Sequence, residues 1–481
     1  MRRVSFVGVV IALSALAAIS IARAAGAPTL VSAASPYTAC TAGLGTGTTY
    51  VNAEVEPYVA ISPKNPSVIV GAWQQDRASN GGANGLVAGY SSDGGATWNE
   101  TPLPFDSCAG GPVYERASDP WVSIGPDGIV YANAISFDRL DNRNGVFSAV
   151  SKDGGKTWGN VVGLQVYETN GGQFSTDKNS VTADPNRNRT AYAVWDTLVL
   201  ATDNPDDNPR TSAYTGPGYF SKTTDGGKTW SAPQVIFPTS QNNQTIGNQI
   251  VVSPDGTLYD VTDWIVHPNS VVNTNANVAF VKSTDGGTTW SAPQKIAQIK
   301  TAGVVDPNTG ATIRTGDIIP EPAVDPVSGA LYVVWQDSRF NGGHYDEVAI
   351  SRSTDGGTTW SAPARVSSPT GRPAFTPMVR VNAAGAVAVT YYDFRNLTSE
   401  TTTLPTDYWI TFSNDGGRTF GGEQHISGPW DMLTAPYAVG YFVGDYEGLA
   451  ASGTTFRPFW VQANSGNTAN RTDVFTTTFA P

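Results

Sequence analysis

The stretch Ser283-Thr284-Asp285-Gly286-Gly287-Thr288-Thr289-Trp290 decides the reading of this chain, because it recurs. The same octad begins at Ser91 (SSDGGATW), Ser151 (SKDGGKTW), Thr223 (TTDGGKTW), Ser353 (STDGGTTW) and Ser413 (SNDGGRTF). Its aspartates are Asp93, Asp153, Asp225, Asp285, Asp355 and Asp415, spaced by 60, 72, 60, 70 and 60 residues. Self-similarity at such a period sets the architecture of the whole chain. Within each octad the Asp side chain is placed to accept backbone N–H bonds, the two glycines permit positive φ, and the Thr and aromatic restart a strand. Asp-Gly between alternating apolar runs is a hairpin signal. The spacing accommodates four short strands per repeat.

Two strands precede each octad. In the first repeat PYVAIS (Pro57–Ser62) reads as an inner strand and VIVGAW (Val68–Trp73) as its partner. Later inner strands begin near Pro120, Ser180, Ile250, Pro322 and Pro377, and their partners end around Trp195, Asp263, Trp335 and Tyr391. A further pair follows the last octad, EGLAAS from Glu447 and FRPFWVQ from Phe456, with DVFTTTFA as a third strand. Seven inner strands therefore face six octads. The expectation is an all-β chain forming a single β-propeller over residues 54–481, with seven blades of four antiparallel strands. A strand from the segment 25–53, between Pro28 and Ala53, would complete the seventh blade and remove its open edge. A six-bladed ring is the alternative, should the last set of strands pack differently.

Arg2 and Arg3, the apolar run Val4–Ala22 and the small residues of Ala22-Arg23-Ala24 read as a cleavable signal peptide over residues 1–24. The expected location is secreted or periplasmic. Cys40 and Cys108 are the chain's two cysteines, and an even count in an oxidising compartment predicts one disulfide, with two buried thiols as the alternative. A net charge of -12 argues against nucleic acid or an anionic membrane surface as partner. The three histidines, His267, His344 and His425, lack the spacing of zinc ligands. A monomer is expected.

At the octads the chain resembles the sialidase-like superfamily of aspartate-box (bacterial neuraminidase repeat) propellers, over nearly all of its length after the signal peptide. The boxes are turn devices and also occur in propellers without catalysis. The resemblance implies a site at the channel mouth on the opposite face. The residues just before the inner strands are Glu56, Asp119, Asn179, Gln249, Glu321, Thr376 and Glu447. Ring closure would bring Glu447, Glu56 and Asp119 onto neighbouring blades, together with Asp445, Tyr446, Glu54 and Arg116. Clustered carboxylates suit glycosidic acid–base chemistry, in which one member needs a raised pKa. They also suit Ca²⁺, or simply hydration of the mouth and bonding to strand N–H groups. The family's nucleophilic tyrosine sits in a setting like Y-S-x-L, to which Tyr446-Glu447-Gly448-Leu449 is similar.

Two departures weigh against a sialidase proper. Val55 stands where the family's F-R-I-P arginine belongs, and the loop after Asp76-Arg77 reads ASNGGANG, without the expected acid. Arg77, Arg139, Arg339 and Arg395 follow second strands in D-R or D-x-R settings. With Arg116 they are candidates for an anion clamp, while their repetition favours ion pairs within blades. The loop Thr197–Tyr214, with Asp203, Asp206 and Asp207, is either a Ca²⁺ loop or a solvated one. Trp73, Trp195, Trp264, Trp335 and Trp460 either stack on sugars or pack between blades, and their recurrence favours packing. Two functions follow. One is a secreted glycoside hydrolase using Tyr446, Glu447, Glu56, Asp119 and Glu321, with no required cofactor. The other is a non-catalytic propeller that binds glycan, protein or calcium at the same mouth.

Overall fold

The computed structural model describes residues 26–42, 47–168, 171–204, 213–266 and 275–481. The expected signal peptide, His267, Asp206 and Asp207 lie outside them. Among the described residues, helix is confined to the two short 3-10 turns Arg339–Asn341 and Met432–Thr434. The rest is sheet, nearly all of it antiparallel, and turn.

Six four-stranded meanders follow one another along the chain, each ending in the strand after its octad, and the third carries the extra short strand Tyr214–Thr215. Their inner strands are Val55–Ile61, Arg116–Ile124, Phe174–Ala183, Asn243–Val252, Glu321–Val324 and Ala374–Val381. The first two meanders are joined by the single pair Ala83 and Ala117. The last sheet has Gly448–Ser452 as its inner strand, followed by Thr455–Ala463 and Thr472–Thr476. Its fourth strand comes from the other end of the chain: Thr29 and Leu30 pair antiparallel with Thr476 and Phe475.

Each inner strand packs on the next, and Gly448–Ser452 packs back on Val55–Ile61. Residues of all seven strands line one channel of about 470 Å³ with largely apolar walls. Between the sheets lie the large side chains: Trp73, Trp195, Trp335 and Trp460 are fully buried, and Trp73 meets Phe459 of the last sheet at 6.3 Å.

The octads behave as their chemistry predicts. Asp93 Oδ1 accepts the N–H groups of Ala96 and Thr97 at 3.0 Å, and Oδ2 accepts the Thr97 hydroxyl at 2.6 Å. Those bonds, the Thr97 hydroxyl first, hold its carboxyl well below the usual range. The turn also seats on the preceding sheet. Gly95 sits at φ 87°, a conformation that residues with side chains rarely adopt, and a Cβ there would also force the Arg457 guanidinium of the last sheet, 2.6 Å away, to shift. Arg457 donates to the Gly94 carbonyl at 2.6 Å. Cys40 and Cys108 form a disulfide that ties the N-terminal segment to the connection after the first sheet.

Two longer connections depart from the repeat. Val304–Val305 and Thr312–Arg314, between the fourth and fifth sheets, form a hairpin. Tyr441–Phe442, between the sixth and last sheets, adds to it in parallel, with Ile313 opposite Tyr441 and Arg314 opposite Phe442. This small sheet carries Arg314 to the mouth of the channel.

Candidate active site at the channel mouth

The inner strands begin with a shared irregularity. The ladder slips between Val55 and Tyr58, Ser118 and Trp121, Asp177 and Ser180, Ile246 and Gln249, and Phe375 and Met378. At each slip one residue has positive φ: Glu56 (54°), Asp119 (53°), Lys178 (42°), Gly247 (74°) and Thr376 (48°). An extra residue in one strand re-aims its side chain, and an ordinary residue at positive φ is uncommon outside functional or tightly constrained positions. The bulge makes Lys178, rather than Asn179, the counterpart of Glu56 and Asp119.

Lys178 is the centre of the cluster. Its ammonium donates to Glu56 Oε1 at 3.2 Å, Asp119 Oδ1 at 3.1 Å and Asp445 Oδ2 at 2.8 Å. Arg314 grips Asp445 from the small sheet, with Nε donating to Oδ1 at 3.0 Å and a second bond to Oδ2. Such forked pairing fixes the carboxylate plane. Gln74 donates to Glu56 and, at 2.9 Å, to the Ser118 hydroxyl. All four cluster members are buried, Lys178 being 8% and Asp445 6% exposed.

Burial and charge act differently on the three carboxyls. Burial pushes Glu56 up to about 8, against the pull of Lys178. Burial also raises Asp119, opposed by Lys178, and a hydrogen bond with Glu56 steadies its charged form. Burial acts on Asp445 too, but Lys178 and then Arg314 outweigh it and hold this carboxyl well below the usual range. Neighbouring acids driven apart in this way mark an acid and a base.

Two clefts open on either side. One, of about 340 Å³, is lined by Asp119, Lys178, Arg314 and the arginines 77, 139 and 143. The other, of about 440 Å³, is lined by Lys178, Arg314, Asp445 and the hairpin of residues 302–319.

The other residues picked out in the sequence are distributed as follows. Tyr446 packs beneath the cluster, its ring 5.2 Å from Trp121 and 5.5 Å from the Lys178 ammonium. Its hydroxyl points at the Pro120 carbonyl, 3.5 Å away. Burial, followed by the charges of Glu56 and Asp119, raises it well above the ordinary phenol value. Glu447 turns away from the mouth, accepting the Val461 N–H at 3.2 Å. Glu321 lies lower in the channel, pushed up to about 8 by burial and opposed by Arg380.

Arg77 lines the first cleft, donates to Gln74 at 2.7 Å and leaves Nε unpartnered among the described residues. Arg116 bonds Asn80 and the Gly81 carbonyl, both at 2.6 Å. Arg339 is held by Asp337 at 2.7 Å, and Arg395 by Asp393 and Glu423 at 2.5 Å. Arg395 stays within its own sheet, whereas Arg339 also donates to the Gln298 carbonyl of the preceding sheet. Among the described residues, no group of three or more His, Cys, Asp or Glu is arranged to hold a metal ion, and no helix is long and apolar enough to cross a membrane.

Residues 219–317, which include the third and fourth octads, match the family model described as a BNR repeat-like domain. A sialidase of Bacteroides fragilis (strain YCH46) is 28% identical over 142 residues, or 24% of this chain and 26% of that protein. The chain resembles the sialidase-like BNR-repeat superfamily over these residues. The match spans about a quarter of that curated relative's length. Among solved structures, the chain is similar to a Hadza microbial sialidase, with TM-score 0.48 and 14% identity over 85% of this chain and 73% of that one. It is also similar to an α-L-arabinanase of Penicillium chrysogenum complexed with arabinobiose, with TM-score 0.47 and 13% identity over 94% and 98% of the two chains.

Proposed function

We propose that this protein is an exported glycoside hydrolase, built on a seven-bladed propeller that its N-terminal strand closes, and acting on an acidic glycan at the mouth opposite the boxes. The closed ring is supported by the cycle of seven inner strands and by the pairing of Thr29–Leu30 with Thr472–Thr476. Export is supported by the leader-like residues 1–24 and the disulfide.

One observation carries the chemistry: Asp119 and Asp445 hold the same ammonium, line different clefts, and are shifted in opposite directions. Asp119 is the general acid, delivering a proton to the glycosidic oxygen as the leaving group departs. Asp445, kept ionised by Lys178 and Arg314, attacks the anomeric carbon and forms a glycosyl ester. Water activated by Asp119 then hydrolyses that ester. Burial keeps the proton on Asp119, and Glu56, which lines neither cleft, is a buried neighbour whose hydrogen bond opposes that shift. Tyr446 is a positioning residue in this reading, because its hydroxyl faces a carbonyl rather than a carboxylate.

The burial of the cluster, and Val55 at the position of the family's arginine, favour a second reading in which the mouth binds glycan without cleaving it. A screen of chromogenic sialosides, uronides and arabinosides separates the two. Hydrolysis is expected, abolished by Asp119→Asn and Asp445→Asn with unchanged circular dichroism, and measurable in Tyr446→Phe. Full activity in both aspartate variants rules out this assignment, and loss of activity only in Tyr446→Phe restores the phenol as nucleophile.

A further inference from the structure

The two clefts share Lys178 and Arg314, which with Asp445 form a bar between them. Each is the size of an ordinary ligand site, roughly 300–1,000 Å³. A site for a terminal sugar needs one closed pocket, whereas this bar has open space on both sides.

The walls differ in chemistry. The first cleft has five cationic side chains and three carboxylates along its lining, in a chain of net charge -12. Of these, Arg139 is exposed. Arg77 is 2% exposed and has an unpartnered Nε. The row of guanidinium groups along this wall matches a carboxylate, which Arg pairs through its forked donors.

The second cleft has an apolar lip. Tyr437 and Tyr441 pair in a tight hairpin, with rings 5.5 Å apart and perpendicular. Between them Val439, which lines the cleft, is 75% exposed and has a φ of 72°. A β-branched side chain adopts that conformation only where its surroundings impose it. Tyr437 is 46% exposed beside it. An exposed aromatic ring two residues from the cleft-lining Val439 suits the apolar face of a sugar, which a charged wall does not.

We infer that the site takes the interior of an acidic polysaccharide, with a carboxylate-bearing sugar in the cleft of Arg77 and Arg139 and the continuing chain laid on the lip of Tyr437 and Val439. The expected mode of attack is therefore internal cleavage. This rests on the hydrolase reading for the cleavage step, but not for the binding.

The test uses the full secreted chain with two size-graded ladders, hyaluronan oligosaccharides and α2,8-linked oligosialic acids, as di-, tetra- and hexasaccharides. Calorimetric affinity, measured with Asp445→Asn so that no turnover intervenes, is expected to rise about tenfold or more from di- to hexasaccharide on one ladder. That rise is expected to collapse in the surface variants Tyr437→Ala and Arg139→Ala. With the unsubstituted protein, the products are expected to be mixed oligosaccharides rather than the single terminal sugar. Length-dependent binding without turnover retains the groove and removes the hydrolase. Flat affinity along both ladders, or release of the terminal sugar alone, overturns the inference, and in the second case leaves the hydrolase standing.

Discussion

The Lys178 ammonium stands 2.8 Å from Asp445 Oδ2, joining residues 267 apart in sequence across the mouth of the channel. Because the same ammonium also holds Glu56 and Asp119, its removal leaves several buried acids without their cation. Breaking a buried pair from one side costs about 3–5 kcal/mol. Lys178→Met is expected to lose that much in urea unfolding, and Arg314→Met less, since Arg314 is partly exposed and its ion pair is with Asp445 alone among the described residues.

The same cluster gives the protein a pH dependence of definite sign. Glu56 rises on folding from 4.5 to about 8, so between those values the unfolded chain releases a proton that the folded chain keeps. Stability from this group is complete below the unfolded value and falls as pH rises towards 8. Glu56→Gln is expected to flatten the melting temperature across that window, which scanning calorimetry at several pH values would measure.

Asp445 acts in the opposite sense. Its folded pKa lies below the unfolded value, so its contribution is present at neutral pH and lost as the solution is acidified below about 4. In Asp445→Asn the acid limb of the stability curve should be shallower than in the unsubstituted protein.

Asp260, on the second strand of the fourth sheet, is fully buried, and neither carboxyl oxygen has a partner among the described residues. Burial alone raises it well above 3.8. Holding such a group away from water destabilises the fold at neutral pH. Asp260→Val should therefore raise stability by about 1–3 kcal/mol, most clearly at neutral pH and least in acid.

Cys40 and Cys108 close a loop with a sequence separation of 68. Constraining a loop of that length in the unfolded chain is worth roughly 4 kcal/mol. The double serine variant should lose about that much, and the unsubstituted protein should show the same loss on reduction.

If Asp119 and Asp445 work as proposed, their nearest oxygens are no farther apart than the two Lys178 contacts of 3.1 and 2.8 Å laid end to end. That is short of the roughly 6.5–9.5 Å separation of inverting pairs and close to that of retaining ones. Proton NMR of the first-formed product should show retention of anomeric configuration.

The octads disclosed the strands and their order, since a turn motif at a regular spacing leaves little freedom to the runs between. The mouth was only half legible. Glu56 and Asp119 can be found by taking the polar residue ahead of each inner strand, but the same rule picks Asn179 where the fold presents Lys178. A bulge inserts one residue without disturbing the alternation on either side, so its position is invisible in a single sequence. The remaining signal was a lone basic residue, in STDKNS, where the first two inner strands begin with acids. Arg314 carried no signal at all. It lies in a connection outside the repeat, and only the parallel pairing with Tyr441–Phe442 brings it to Asp445. Glu447 misled for a simpler reason: Asp445 and Tyr446 lie in a bend ahead of the strand that starts at Gly448, so strand alternation does not relate Glu447 to Asp445, and its carboxylate accepts the Val461 N–H of its own sheet.

The strand at Thr29–Leu30 also sets the order of events in folding. Its partner, Thr472–Thr476, follows all the octad-bearing sheets in sequence, so these can form while the first strand waits unpaired. Joining strands this far apart in sequence carries the largest loop-closure entropy among the strand pairings, and it is the natural slow step. During that wait the exposed edge of Thr472–Thr476 accepts the same segment from a neighbouring chain as readily as its own, so refolding at high concentration should give strand-exchanged dimers.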